Sequence, residues 1–189
     1  MSNSVVARAR QVAALPVSRR LTIGVGVGAA MVCMAVGAQV RVGWPIPFTL
    51  QTLFVLLSAA LLGRRWGTAS QAGYVLLGSM GVPVFAASRL FGPTFGYLVG
   101  FIVAAWLIGQ ILSRVEEPSL LRGAAAMVAG SAVILMLGMA YLAWGLGLGL
   151  RQAFLDGVVR FLLGDSVKLV VALAVWWRFR RPARAAFGR

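Results

Sequence analysis

Apolar residues gather into six runs along this chain, roughly 21–40, 48–62, 66–80, 95–112, 123–146 and 158–177, with polar residues between them. Most runs approach the ~20 residues with which a helix crosses a ~30 Å hydrocarbon core. The second and third are shorter, ~15 residues by the same measure, and are read as tilted, covered by neighbours or partly re-entrant. The first run follows Arg8, Arg10, Arg19 and Arg20, and Val36-Gly-Ala38 faintly resembles a leader cleavage site. It exceeds the ~7–15 apolar residues of a leader, and further runs follow it, so it is read as a retained span. The expectation is an all-α integral membrane protein of six transmembrane helices. It forms a single transmembrane domain over 1–189, with basic tails at 1–20 and 178–189.

The arginines orient these spans. With six spans both termini share one side. Most arginines lie in the termini and even-numbered loops, including Arg64, Arg65, Arg114, Arg122, Arg178 and Arg181. The odd-numbered loops hold only Arg41, Arg89, Arg151 and Arg160. Basic residues accumulate on the cytoplasmic side, so both termini are expected there. The loops carrying Pro45, Pro47, Pro83 and Pro93 then lie outside. Proline restricts itself and its predecessor to extended or turn backbone. Apolar, proline-pinned loops of this kind suit the cap of a cavity between helices.

Composition agrees and removes alternatives. The chain is 60% hydrophobic and 12% charged, with a mean hydropathy of +0.90. The net charge of +14 suggests nucleic acid at first sight, but its distribution follows membrane topology, and no nucleic-acid partner is expected. Without histidine and with only Cys33, no His/Cys metal site is expected. Four acidic residues leave little for paired-carboxylate catalysis. No catalytic site is assigned; the chain is read as a non-enzyme.

The last run contains the chain's one lysine, Lys168, three residues after Asp165. Each charge costs roughly 2.5–3.5 kcal/mol at a helix centre on insertion scales, so such residues default to function. At i and i+3 the two share a helical face. Lys168 lies ~15 Å along the helix from Arg178, near mid-depth. Gly164 suggests a helix break, with Asp165 as N-cap of the final helix. A structural ion pair is the competing reading.

Further polar residues lie in the same half: Thr49, Gln51 and Thr52, then Tyr74 and Ser79, then Ser88 and Arg89, then Thr94 and Tyr97. Gln51 is the strongest single candidate, because an amide both donates and accepts. A carboxylate, an ammonium and amide or hydroxyl groups together suit a small molecule with a urea-like head and an acidic tail. In the first run, Val25, Ala29, Cys33 and Gly37 recur every four residues. Such a small-residue stripe admits close helix approach, either within the chain's own bundle or by a partner.

The sequence resembles the BioY family, the biotin-specific S components of energy-coupling-factor (ECF) transporters. The motifs are Pro45-Ile-Pro-Phe-Thr-Leu-Gln-Thr-Leu53, Gly81-Val-Pro-Val-Phe-Ala86, Gly92-Pro-Thr-Phe-Gly-Tyr-Leu-Val-Gly-Phe101 and Gly164-Asp-Ser-Val-Lys168. The resemblance spans about residues 30–175. It implies a multi-pass protein of the bacterial cytoplasmic membrane that binds biotin from outside and supports its uptake. It implies a transmembrane coupling protein and ATPase subunits as partners, and leaves open action alone or as a homo-oligomer. No cofactor is expected in this chain, which lacks a Gly-x-x-x-x-Gly-Lys-Ser/Thr loop, so ATP hydrolysis falls to partners. The implied ligand-binding residues are Asp165, Lys168, Gln51, Tyr97 and Thr94, with Ser88 and Arg89 looser members. Asp165 suits the ureido N–H groups, and Lys168 the valerate carboxylate or a supporting pair. Ala29, Cys33 and Gly37 correspond to the docking stripe, with Cys33 in place of an alanine. The family's Pro-Gly-Asp is here Leu163-Gly-Asp165. An S component for another small vitamin and a non-transport structural membrane subunit are the alternatives.

Overall fold

The first apolar run folds as helix α1, Val17–Gln39, in a computed structural model that describes residues 17–42, 46–86 and 90–187. The proline-containing segment after it forms a short antiparallel ribbon of β1 (Arg41–Val42) and β2 (Phe48–Thr49), with Arg41 opposite Thr49 and Val42 opposite Phe48. The extended backbone expected there is thus held by pairing.

The second and third apolar runs form one helical element, α2 (Gln51–Ser79), interrupted at Gly63, where φ is 79° and ψ −179°. That backbone region is essentially restricted to glycine. The chain reverses there into a helical hairpin. Gln51 hydrogen-bonds Tyr74 and Ser58 bonds Gln71 across the two legs, at 2.8 and 2.7 Å. Close to the bend, Gly67 lies so near Ala59 that an added Cβ would sit 2.8 Å from its Cα.

Helix α3 (Phe95–Ser113) and helix α4 (Leu120–Ala140) follow. Ser119 caps α4 by accepting from the Arg122 backbone N–H, which satisfies an otherwise unpaired helix-end donor. Gly100 allows these helices to touch, since a Cβ there would meet Ile134 Cα at 2.9 Å. A π-helical turn, Tyr141–Gly145, ends α4. The short α5 (Leu150–Phe154) leads through a second π turn, Leu155–Val159, into the last helix, α6 (Arg160–Phe187).

One expectation changes here. Asp165 is not an N-cap: α6 begins at Arg160 and passes through Gly164 unbroken. A single glycine costs a helix only ~1 kcal/mol, and the space beside this one is filled by the Phe48 ring. The basic tail, in addition, is helical to Phe187. It is tied down by Arg184, whose Nη2 donates to the Val115 carbonyl at 2.7 Å, and by Phe187, which packs beside Gly26.

Among the described residues, buried side chains form two clusters. One at the ribbon end includes Met34, Tyr74, Tyr97, Phe101, Ile134 and Phe161. The other, toward Gly63, includes Leu56, Ala59, Ile108, Leu112, Met127 and Trp176. The faces turned outward are also apolar: Val25, Val32 and Val36 on α1, Met136 on α4, and Leu163, Val167 and Val170 on α6 are all exposed. Such faces are a liability in water and cost nothing against lipid tails. Among the described residues, Val17–Gln39, Phe95–Ser113 and Leu120–Gly145 are each long and apolar enough to cross a bilayer.

Candidate ligand-binding site

The polar centre of the molecule is built by the start of α2 and the first third of α6. Asp165 and Lys168 are 6% and 5% exposed, so this pair is buried inside the bundle. Lys168 Nζ donates to Asp165 Oδ1 at 2.8 Å and to Thr52 Oγ1 at 2.9 Å. Thr52 Oγ1 in turn donates to the same Asp165 oxygen at 3.0 Å. The three groups close a triangle in which one carboxylate oxygen, Oδ1, takes both bonds. The ammonium also lies 3.6 Å from the centroid of the Phe48 ring, whose π face attracts a cation. Phe48 stacks on Phe161 at 6.2 Å and 14°.

This triangle borders a cavity of about 40 Å³. Gln51, Thr94, Tyr97, Asp165 and Lys168, all predicted, line it together with Thr49 and Thr52. Its apolar walls come from Ile46, Leu98, Phe101, Ile134, Leu135 and Phe161. Gln51 is held by Tyr74, which donates onward to the Val84 carbonyl at 2.7 Å, and by Thr49, which donates to the Gln51 side-chain oxygen at 3.1 Å. Tyr97 donates to the Gly157 carbonyl at 2.8 Å. Its ring lies 5.8 Å from Phe161, so the second π turn is fixed against the same wall. Arg41 Nη1 donates to the Ala86 carbonyl at 2.7 Å, which ties the ribbon to the loop after α2.

Not every expected residue joins this cluster. Ser88 and Arg89 lie outside the described residues. Ser79 is exposed and bonds only its own helix, at the Leu76 carbonyl. Thr52 takes a larger part than the sequence suggested: its neighbourhood of polar residues was visible, but its contact across 113 positions to Asp165 was not. Phe48 gave no polar signal at all. In the small-residue stripe, Gly37 is buried beneath Phe54 and serves the chain's own packing. Ala29 and Cys33 instead border an apolar groove of about 520 Å³ between α1, α2 and the end of α6.

Apolar outer faces around a buried charge pair and a largely apolar chamber with a polar wall define a helical membrane protein with an internal site. The BioY family model matches residues 8–185, and this chain belongs to the BioY family. The Biotin transporter BioY of Thermotoga maritima is 41% identical over 167 residues, covering 86% of this chain and 96% of that protein. The Biotin transporter BioY of Rhizobium etli is 35% identical over 140 residues, covering 68% of this chain and 74% of the relative. In fold, the chain is similar to the crystal structure of the S-component for biotin from an ECF-type ABC transporter. The TM-score is 0.81 at 19% identity, with 89% of this chain and 95% of the other covered.

Proposed function

We propose that this protein captures biotin and supports its uptake as the substrate-specific component of an ECF-type transporter, with no enzymatic step of its own. The observation that carries the reading is the buried Asp165–Lys168–Thr52 triangle on the wall of an apolar chamber. A biotin molecule offers a ureido group, an apolar bicyclic body and a carboxylate. The Asp165 carboxylate accepts the ureido N–H groups, Gln51 and Thr94 complete the polar contacts, Tyr97, Phe48 and Phe161 cover the ring system, and Lys168 pairs with the carboxylate. Ser88 and Arg89 are the looser members of this set. The cavity of about 40 Å³ is far below the ~300–1,000 Å³ of small-molecule sites. Entry of biotin therefore requires the walls of this cavity to move apart.

In this reading the two legs of α2 each cross the membrane, which makes six transmembrane segments with both termini in the cytoplasm. The arginine distribution supports that orientation. The protein resides in the bacterial cytoplasmic membrane. A transmembrane coupling protein docks along α1 at Ala29 and Cys33, and ATPase subunits behind it hydrolyse ATP.

Competition identifies the ligand. Purified protein loaded with labelled biotin should release it to unlabelled biotin and retain it against other water-soluble vitamins. Displacement by a different vitamin at lower concentration than biotin would refute the assignment.

A further inference from the structure

Far from the chamber, at the end of the bundle near Gly63, the Trp176 indole is fully buried and its Nε1–H has no hydrogen-bond partner among the described residues. A buried donor left unsatisfied costs stability, so such a group calls for an explanation. The six-membered part of its ring lies against Gly123, where any Cβ would collide. Trp176 also lines a small pocket of about 30 Å³, shared with Arg180, Arg181, Arg184, Glu116 and Glu117. Trp176, Arg180 and Arg184 recur every four residues and so share one face of α6.

The arginines are oriented but not used up. Arg180 stacks on Trp177, 3.3 Å from its ring centroid, and donates to the Trp177 carbonyl. Arg184 donates one N–H to Val115. Arg181 meets Glu117 at 3.4 Å in an exposed pair. Each guanidinium carries five N–H donors in a rigid fork, so donors remain. Three arginines against two glutamates leave the pocket with one net positive charge. About 30 Å³ is room for a water-sized atom, which admits one oxygen of an anion while the rest of that anion stays on the rim.

The geometry points to a second binding site here, for a phosphate-bearing anion, supplied by the headgroup of an anionic phospholipid. One phosphate oxygen accepts from Trp176 Nε1–H, and the Arg180 and Arg184 guanidiniums flank the others. The site lies where α6 leaves the apolar bundle, which is the headgroup level in the topology proposed above.

The test uses the full chain in detergent. It is titrated with short-chain phosphatidylglycerol, short-chain phosphatidylcholine and inorganic phosphate, and lipid retention is read by native mass spectrometry alongside thermal unfolding. Phosphatidylglycerol should be retained about tenfold better than phosphatidylcholine, with inorganic phosphate giving no comparable effect. The R180Q/R184Q double variant and W176F should each lose that preference while keeping biotin binding, which shows that the fold survives. Equal retention of the two lipids, or an unchanged preference in both variants, would overturn the site. Inorganic phosphate matching phosphatidylglycerol would overturn the lipid as its source.

Discussion

Lys168 lies between a carboxylate and an aromatic face: its ammonium is 2.8 Å from Asp165 Oδ1 and 3.6 Å from the Phe48 ring centroid. The ribbon that begins outside the helical bundle therefore reaches the charge pair in its interior. Replacing Phe48 by leucine keeps an apolar plug and removes the π face. A cation–π contact contributes ~0.5–2 kcal/mol depending on desolvation, so F48L should weaken biotin binding about 3- to 30-fold. Equilibrium binding of labelled biotin measures this, and unchanged affinity would remove Phe48 from the site.

The charge pair should show a characteristic pattern in stability. Removing one partner leaves an uncompensated buried charge, which costs ~3–5 kcal/mol, whereas replacing both is often neutral or stabilising. K168M should therefore lower the unfolding temperature clearly, and D165N/K168M should recover most of the loss. Thermal unfolding in detergent checks it. A double variant as unstable as the single one would contradict a self-neutralising pair.

The ligand's own carboxylate offers a matched probe. A hydrogen bond to a charged group contributes ~1.5–3 kcal/mol. Biotin amide, which lacks the negative charge, should bind the unmodified protein about 10- to 150-fold more weakly than biotin. K168M should bind the two about equally. If K168M still discriminates between them, another residue receives the carboxylate.

The hairpin bend should be intolerant of any side chain. Gly63 occupies backbone space that is essentially glycine-only, and forcing another residue there costs ~1–3 kcal/mol. G63A should lower thermal stability by that order while the folded fraction binds biotin normally, because Gly63 is not among the residues lining the chamber. A fully stable G63A would show that the reversal does not depend on this conformation.

Much of this molecule was readable from its order of apolar runs. The runs at 21–40, 95–112 and 123–146 correspond to α1, α3 and α4, because long apolar stretches leave a chain few options in lipid. The runs at 48–62 and 66–80 were also legible, but their joining at Gly63 depends on one backbone conformation that Gly63-Arg-Arg65 does not announce. Asp165 and Lys168 stood out because buried charge is rare, and Gln51, Thr94 and Tyr97 because polar residues at that depth are few. Thr52 and Phe48 acquire their parts only through contacts more than a hundred residues apart, which no local pattern encodes. The helix break expected at Gly164 failed for the same reason. A local propensity worth ~1 kcal/mol was overridden by the packing of Phe48 beside that glycine. The helical course of residues 178–187 likewise follows from Arg184 and Phe187 finding partners on the α3–α4 loop and α1.

As a ligand site, Asp165 and Lys168 must do more than neutralise each other. Calorimetric titration of biotin into the folded D165N/K168M variant, beside the unmodified chain, separates the two roles. The unmodified protein should bind biotin saturably and tightly and the double variant should show no measurable binding, at closely similar unfolding temperatures. Undiminished affinity in the folded double variant would contradict a ligand role for the pair.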